Sequence, residues 1–243
     1  LLVDRRAMVF NVTLDAENWA QVEPRLADFI AALPEGPGGD AAWDATLARN
    51  SEGLTLPANV NYVAKGAGLF DLGYERHGST EIISHYLRST WLWERVRVQG
   101  GAYGGFCVFD QHSGTFGFVS YRDPNLMQTL EVYDQTVSFL RDLDLSQEEL
   151  VKSIIGAIGN IDAYQLPDAK GYSAMARYLI GYDDASRQAY RMELLNTNVE
   201  DFRAFADVLE GVFESGAMVV LGSPGAVEAA VERGLRFDVQ KVL

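Results

Sequence analysis

The spacing of hydrophobic and polar positions divides the chain into stretches with two different periods. In several stretches apolar residues alternate with polar or small ones, which is the pattern of a strand with one buried face. One such run covers residues 6–15. The pattern predicts four further strands, near residues 58–64, 102–110, 115–121 and 217–222. The second and third of these four are separated by a turn near His112–Gly114, so we expect them to pair as a hairpin.

Helices are predicted where apolar residues recur every three or four positions after a capping residue. This spacing predicts a helix over 16–33, for which Asp15 is a suitable N-cap. The stretch 79–97 is predicted as one long helix. Another helix is expected over 123–143, with Asp123 as its N-cap and Pro124 at the first helical position. Further helices are predicted after residue 146, over 172–181, after residue 197 and from about residue 224.

Two of the predicted helices begin with a capping box. In this motif a Ser or Thr accepts a hydrogen bond from the backbone three residues later, and a Glu at that position bonds back to the cap. Ser146 with Glu149 and Thr197 with Glu200 match the motif. We therefore predict helix starts at both positions.

The order of these elements indicates an α+β fold. Strands and helices do not alternate regularly, as they do in a doubly wound parallel sheet. One hairpin is instead followed by a long helical stretch. We expect a mixed or antiparallel sheet with helices packed mainly on one face.

A weak internal repeat suggests how the chain is divided. The segments "MVFNVTLDAENWAQVEPRL" and "MVVLGSPGAVEAAVERGL" both read as a hydrophobic strand, a turn and a helix. Each would end a domain in the same way. We therefore predict that residues 1–35 are the tail of a preceding homologous domain, that 36–50 form a linker, and that 51–243 form a second domain.

Composition narrows the classes of partner. The chain has 243 residues and a formal net charge of −14, and its Lys and Arg residues form no basic stripe, so nucleic acid is not expected as a partner. No apolar run is long enough to span a bilayer. The single cysteine, Cys107, excludes an internal disulfide and favours a buried structural thiol in a reducing compartment. The chain begins without Met in a strand-like run, and we interpret it as a piece of a longer protein.

One group of residues raises the question of a metal site. His77, Glu81 and His85 are four residues apart and would share one face of a continuous helix. A free-standing metal enzyme built on them is one hypothesis. Against it, His77 precedes the expected helix start, and the sequence contains neither H-x-x-E-H nor H-E-x-x-H. We predict no metal in this chain.

The stretch "ERVRVQGGAYGGF", residues 94–106, is a stronger candidate for chemistry. Arg97 is predicted to end a helix and Tyr103 to begin the next strand. Gly100 and Gly101 can take positive φ, which would let the chain reverse tightly and bring the two side chains to one rim of the sheet. A planar cation and a hydroxyl donor there suit a carboxylate or a carbonyl oxygen that gains charge. The alternative is a surface Arg and Tyr beside a glycine turn.

Three segments carry a resemblance to a known family. "RVQGGAYGGF" (97–106), "SGTFGFVSYRDPN" (113–125) and "IDAYQLPDAKG" (161–171) are similar, in order and spacing, to the C-terminal part of the pitrilysin and insulysin family of zinc metallopeptidases, in its presequence-protease branch. The resemblance covers most of residues 1–235. It implies one of four homologous α+β domains, of a kind that mitochondrial processing peptidases share, paired into two halves around a peptide chamber.

The resemblance also implies a role for this part of the chain. It assigns Arg97 and Tyr103 as auxiliary catalytic residues that contact substrate and transition state, with Gly100 and Gly101 beside them as substrate-binding positions. Zinc would belong to the full-length enzyme, with its ligands outside this chain, and the fragment alone would be inactive. The expected partners are peptide substrates and the N-terminal catalytic half of the same protein.

Two questions stay open on the sequence. The full protein is expected to be an endopeptidase for short unstructured peptides, but a non-catalytic peptide-binding or scaffolding subunit of the same superfamily is the main alternative. An inverted zinc motif upstream would decide between them. The expected compartment is the cytoplasm of a bacterium or, in a eukaryote, the mitochondrial matrix.

Overall fold

The computed structural model describes residues 3–36 and 50–243. Its elements in chain order are α1 (Ala16–Ala32), β1 (Glu52–Thr55), β2 (Asn61–Gly68), α2 (Ser79–Ser89), a π-helix (Trp93–Gln99), β3 (Gly104–Phe109), β4 (Thr115–Asp123), α3 (Leu126–Arg141), α4 (Gln147–Ile161), α5 (Pro167–Leu179), α6 (Asp184–Leu195), α7 (Val199–Ser215), β5 (Ala217–Gly222), α8 (Pro224–Glu232) and β6 (Asp238–Lys241). No helix in the described part is long and apolar enough to cross a membrane.

The chain forms two compact units. The first contains the described part of Leu1–Leu47 together with Ala163–Arg187, and the second contains the described part of Ala48–Asp162 together with Gln188–Leu243. The predicted linker over 36–50 lies almost entirely outside the described residues. The assignment of 1–35 to a preceding domain stays a prediction.

In the first unit, α1 begins as expected. The Asp15 carboxylate accepts a hydrogen bond from the backbone N–H of Asn18 at 2.9 Å, which caps the helix. The strand predicted over 6–15 is wrong: a short 3₁₀ turn covers Arg5–Ala7, and the residues after it form no strand. A strand needs a neighbour for its backbone hydrogen bonds, and no strand lies beside this segment in the described part of the unit.

The second unit is built on a six-stranded sheet with the order β3-β4-β2-β5-β1-β6. β3, β4, β2 and β5 are antiparallel neighbours, whereas β1 runs parallel to both β5 and β6. The four strands predicted from the alternating pattern lie in this sheet, and the hairpin is confirmed by the pairing of Cys107 with Phe118. The mixed α+β class is therefore correct. β1 and β6, each four residues long, were not predicted.

Helices cover one face of the sheet. Val63, Cys107, Phe116 and Phe118 point into the core that α2, α3 and α7 close. Tyr133 of α3 stacks on Phe118 with ring centroids 5.0 Å apart. Fully burying side chains of this size contributes about 1.5–3 kcal/mol each to stability, which explains why the helices hold to this face.

Several helix boundaries differ from the prediction. The helix expected over 79–97 ends at Ser89, and a π-helix follows it. The helix expected from Asp123 begins at Leu126, with Asn125 as N-cap. The helix predicted over 172–181 is α5, which starts earlier, and α6 was not predicted.

The two capping boxes have different outcomes. The one formed by Ser146 and Glu149 is confirmed at the start of α4. The other is wrong by one residue, because Asn198 and Asp201 cap α7. The Thr197 hydroxyl donates instead to the carbonyl oxygen of Glu193 at 3.2 Å, so it closes the preceding helix.

Candidate functional site

The candidate site begins at the end of the π-helix. The backbone N–H of Gly100 bonds to the carbonyl oxygen of Arg95, and that of Ala102 bonds back to Val96 at 3.2 Å. Gly101 has φ of +75°, a conformation that side chains disfavour, and it reverses the chain toward β3. Gly100 differs from the expectation: it is helical, with φ of −79°. A Cβ there would lie 2.5 Å from the Val96 carbonyl oxygen, so close packing, and not positive φ, requires the glycine.

This reversal brings Arg97 and Tyr103 together. The guanidinium carbon of Arg97 lies 4.1 Å from the centre of the Trp93 ring and 5.9 Å from the centre of the Tyr103 ring. Both distances suit cation–π contact. Both residues are exposed, Tyr103 to 66%. Within the described residues, no carboxylate pairs with Arg97 and no group bonds to the Tyr103 hydroxyl, so the donors of both side chains face solvent.

A buried carboxylate, that of Asp123, stabilises the turn at Gly100 through Asn125. Asp123 is fully buried; its carboxylate accepts from the backbone N–H of Asn125 at 2.8 Å and from the Thr129 hydroxyl at 2.6 Å. The Asn125 side-chain amide then donates to the carbonyl oxygen of Gly100. The sequence pattern predicts Asp123 only as a helix cap, and it does not single out Asn125. The adjacent "RDPN" turn, typical of an Asx-turn, was the available signal.

Aromatic side chains extend the site across the sheet. The Tyr103 ring makes an edge-to-face contact with Tyr121 at 5.6 Å between centroids, and Tyr121 makes one with Tyr62 at 5.4 Å. Such pairs contribute about 0.5–1.5 kcal/mol beyond their buried area. Trp93 thus packs against Arg97, and Tyr121, supported by Tyr62, packs against Tyr103. The sequence pattern does not single out Tyr62 or Tyr121 as site residues, although each lies on the solvent side of a predicted strand.

The alternative metal site does not form a cluster. His77 Nδ1 lies 2.8 Å from the Ser79 hydroxyl, and Glu81 lies 3.9 Å from Arg88 in a weak ion pair. Burial lowers the pKa of His85. Among the described residues, no three His, Cys, Asp or Glu side chains are arranged to hold a metal ion.

Cys107 is buried in the core, as expected. Its Sγ lies 3.5 Å from the carbonyl oxygen of Ser84. Burial raises the pKa of the thiol to about 12, so the reactive thiolate is scarce at neutral pH. The cysteine is therefore part of the core packing.

Comparison with known proteins assigns the family. The family model described as the PreP C-terminal domain matches residues 51–223. The chain belongs to the PreP C-terminal domain family. It is a C-terminal part of a protein of the presequence-protease and pitrilysin family, as the sequence segments indicated.

Two curated relatives match all or most of the chain. Presequence protease 1, chloroplastic/mitochondrial, of Arabidopsis thaliana is 48% identical over 244 residues, which cover 100% of this chain and 23% of the relative. Protein HypA of Clostridium perfringens is 31% identical over 92% of this chain and 23% of the relative. The chain thus spans less than a quarter of these proteins.

Solved structures share the fold. A protease from Helicobacter pylori superposes with a TM-score of 0.63 and 16% identity, over 86% of this chain and 53% of that chain. Pitrilysin superposes with a TM-score of 0.61 and 12% identity, over 93% of this chain and 25% of that chain. At these identities the likeness concerns the fold alone, and it agrees with the mixed sheet and its one-sided helical layer.

Proposed function

We propose that this chain forms one wall of a peptide chamber in a zinc endopeptidase that degrades short unstructured peptides. The N-terminal catalytic half of the same protein would form the opposite wall. The observation that carries the proposal is the convergence of Arg97 and Tyr103 at an exposed rim, with their donors unpaired within the described residues. The membership in the PreP C-terminal domain family supports it.

Within the part of the chain that the structure describes, no group of residues fits a zinc ion. The sequence has no inverted zinc motif, and His77 Nδ1 lies within hydrogen-bond distance of the Ser79 hydroxyl. In the proposed enzyme the zinc ligands lie outside the chain, and zinc supplies a Lewis acid and an activated water there.

Arg97 and Tyr103 would contact different groups of the substrate. The Arg97 guanidinium presents a planar fork, which suits a backbone carbonyl or a carboxylate of the peptide. The Tyr103 hydroxyl would donate a hydrogen bond to the oxyanion of the transition state or to an adjacent carbonyl. Trp93 contacts the Arg97 guanidinium, and Tyr121 contacts the Tyr103 ring, so both donors would be oriented before substrate arrives. Hydrogen-bond donors stabilise a transition state most effectively when they are oriented in advance.

Kinetics on the full-length protein test these roles. We expect Tyr103→Phe to lower turnover of a quenched peptide by roughly 10²–10³-fold, the usual effect of removing one oxyanion donor. Arg97→Lys should also lower turnover, because an ammonium lacks the planar fork. Neither change should shift the melting temperature by more than about 2 °C, since both side chains are exposed.

Matched controls are Tyr164→Phe and Arg236→Lys, at exposed positions that are not among the site residues. Turnover close to that of the unmodified protein in both site variants would contradict the proposal, and a large loss of stability would make the pair structural.

The main alternative is a non-catalytic subunit that binds peptides or scaffolds a complex. The full-length sequence decides, because the catalytic reading requires an H-x-x-E-H motif upstream of this chain. For the compartment, we propose the mitochondrial matrix in a eukaryote and the cytoplasm in a bacterium. The organellar name of the Arabidopsis relative supports the first of these.

A further inference from the structure

The face of the sheet opposite the helices is apolar and open. Because successive residues of a strand point to opposite faces of the sheet, the residues next to each buried core residue along the strand point outward. No element of the second unit covers them in the described part of the chain. The outward residues with large apolar or aromatic side chains are Tyr62, Phe106, Val108, Val119, Tyr121, Val219 and Leu221. We call this surface the open sheet face.

The strand register makes the open sheet face continuous. Phe106 pairs with Val119 across β3 and β4, and Val119 lies opposite Ala64, which in turn lies opposite Val219. Phe106 is 46% exposed and Val219 is 40% exposed. Exposed apolar surface that runs over four neighbouring strands is unusual in a soluble domain and marks an interaction site.

The open sheet face begins at the candidate site. Tyr121 contacts the Tyr103 ring at its start, and Gly117 lies four residues farther along β4. At about 3.4 Å per residue, this distance is ~14 Å, which an extended peptide covers with about four residues. A peptide held by Arg97 would therefore lay its neighbouring side chains on this surface.

We propose that the open sheet face binds large apolar side chains of the substrate, within about four residues of the one held by Arg97. This inference rests on the proposed function and specifies its substrate class. Arg122 is charged and exposed at the end near the candidate site, where its guanidinium carbon lies 5.6 Å from the centre of the Tyr121 ring. The other outward positions of β2 to β5 carry no charged side chain, so the rest of the surface offers no ion pair to a charged substrate residue. Burying one Leu or Phe side chain favours binding by roughly 10-fold or more.

The test uses the full-length enzyme and pairs of quenched peptides. The two peptides of a pair differ only in Phe or Ser at one position, one to four residues from the cleaved bond, which mass spectrometry identifies. We expect at least one position where kcat/KM is about 10-fold higher for Phe. Phe106→Ser and Val219→Ser should reduce this ratio to about twofold, because they should lower kcat/KM much more for the Phe peptide than for the Ser peptide.

Two further variants keep the test sharp. Gly117→Val adds bulk to the open sheet face, where a Cβ would have its nearest neighbour at 3.7 Å, and it should abolish the preference without unfolding the domain. Val151→Ser on α4 is the matched control, because Val151 is 42% exposed but lies on a helix, and it should leave the ratio unchanged.

The outcomes separate this inference from the proposed function. No Phe preference in the unmodified enzyme, or a preference that survives Phe106→Ser, Val219→Ser and Gly117→Val, would overturn it. So would self-association of the protein that Phe106→Ser disperses, because the face would then bind a second copy. If Arg97 and Tyr103 variants keep full turnover but the open-face variants lose the preference, the surface stands and only the catalytic roles fail.

Discussion

The buried carboxylate of Asp123 offers the most quantitative test of the structure. It accepts two hydrogen bonds, from Asn125 N–H at 2.8 Å and from the Thr129 hydroxyl at 2.6 Å, and it has no exposed surface. Asp123→Ala removes both bonds and leaves the buried Thr129 hydroxyl and the half-buried Asn125 N–H without this acceptor. Hydrogen bonds to charged groups contribute about 1.5–3 kcal/mol each. The free energy of unfolding should therefore fall by at least about 3 kcal/mol.

Asp110 provides a matched control. Its carboxylate also accepts two bonds, from His112 N–H at 3.0 Å and from the Ser113 hydroxyl at 2.7 Å, but it lies in the exposed turn between β3 and β4. Water replaces exposed bonds, so Asp110→Ala should cost less than about 1 kcal/mol. The two substitutions differ mainly in burial, which isolates the effect of desolvation.

Thermal and urea unfolding of the 243-residue chain measure both effects. For a domain of this size, 1 kcal/mol corresponds to about 2–4 °C in melting temperature. Asp123→Ala should lower the melting temperature by roughly 6 °C or more. A loss equal to that of Asp110→Ala would refute the argument that a buried carboxylate fixes the turn beneath Gly100.

Three other predictions follow from single features. Because burial raises the pKa of Cys107 to about 12, iodoacetamide at pH 8 should leave the folded chain unmodified and should label it rapidly in urea, as mass spectrometry would show; labelling of the folded chain at the unfolded rate contradicts this. Ser146→Ala removes a confirmed N-cap and should cost about 1 kcal/mol in urea unfolding, whereas a change at the neighbouring exposed Gln147 should cost nothing measurable. The isolated chain should fold, cleave no peptide and retain no zinc after dialysis against a weak chelator; about one zinc per chain by elemental analysis would contradict this.

The sheet was predictable because its signal is local and periodic. β2 to β5 alternate between apolar and polar or small residues, and this alternation follows directly from the two faces of a strand. β1 and β6 have only four residues each, which is too short to show a period, and they depend on pairing partners far along the chain. For the same reason the run over 6–15 predicted a strand that does not form: the pattern describes a strand's side chains and not the neighbour that it requires.

Helix starts were predictable only where a capping side chain and a backbone N–H three residues later bond to each other without a competing residue nearby. Ser146 and Glu149 satisfy both halves of the capping box, and nothing nearby competes. At Asn198 an equivalent cap lies one residue beyond the predicted one, and the Thr197 hydroxyl is taken by the preceding turn. Two adjacent residues of capping type therefore leave the position undecided until tertiary contacts are known.

Arg97 and Tyr103 show most clearly how far the site could be predicted from the sequence. The glycine turn between Arg97 and Tyr103 is visible in the sequence, but their convergence depends on the π-helix, whose wider i→i+5 turns a helical period does not reveal. The widening agrees with the packing of β3 against it, because a Cβ at Gly105 would lie 2.8 Å from the Cβ of Val96. Trp93 then lies under the Arg97 guanidinium, and Asn125 holds the turn through Gly100. The site is thus assembled from a strand, a helix end and a turn whose backbone N–H groups, from Gly100 to Tyr103, are all bonded to backbone carbonyl oxygens.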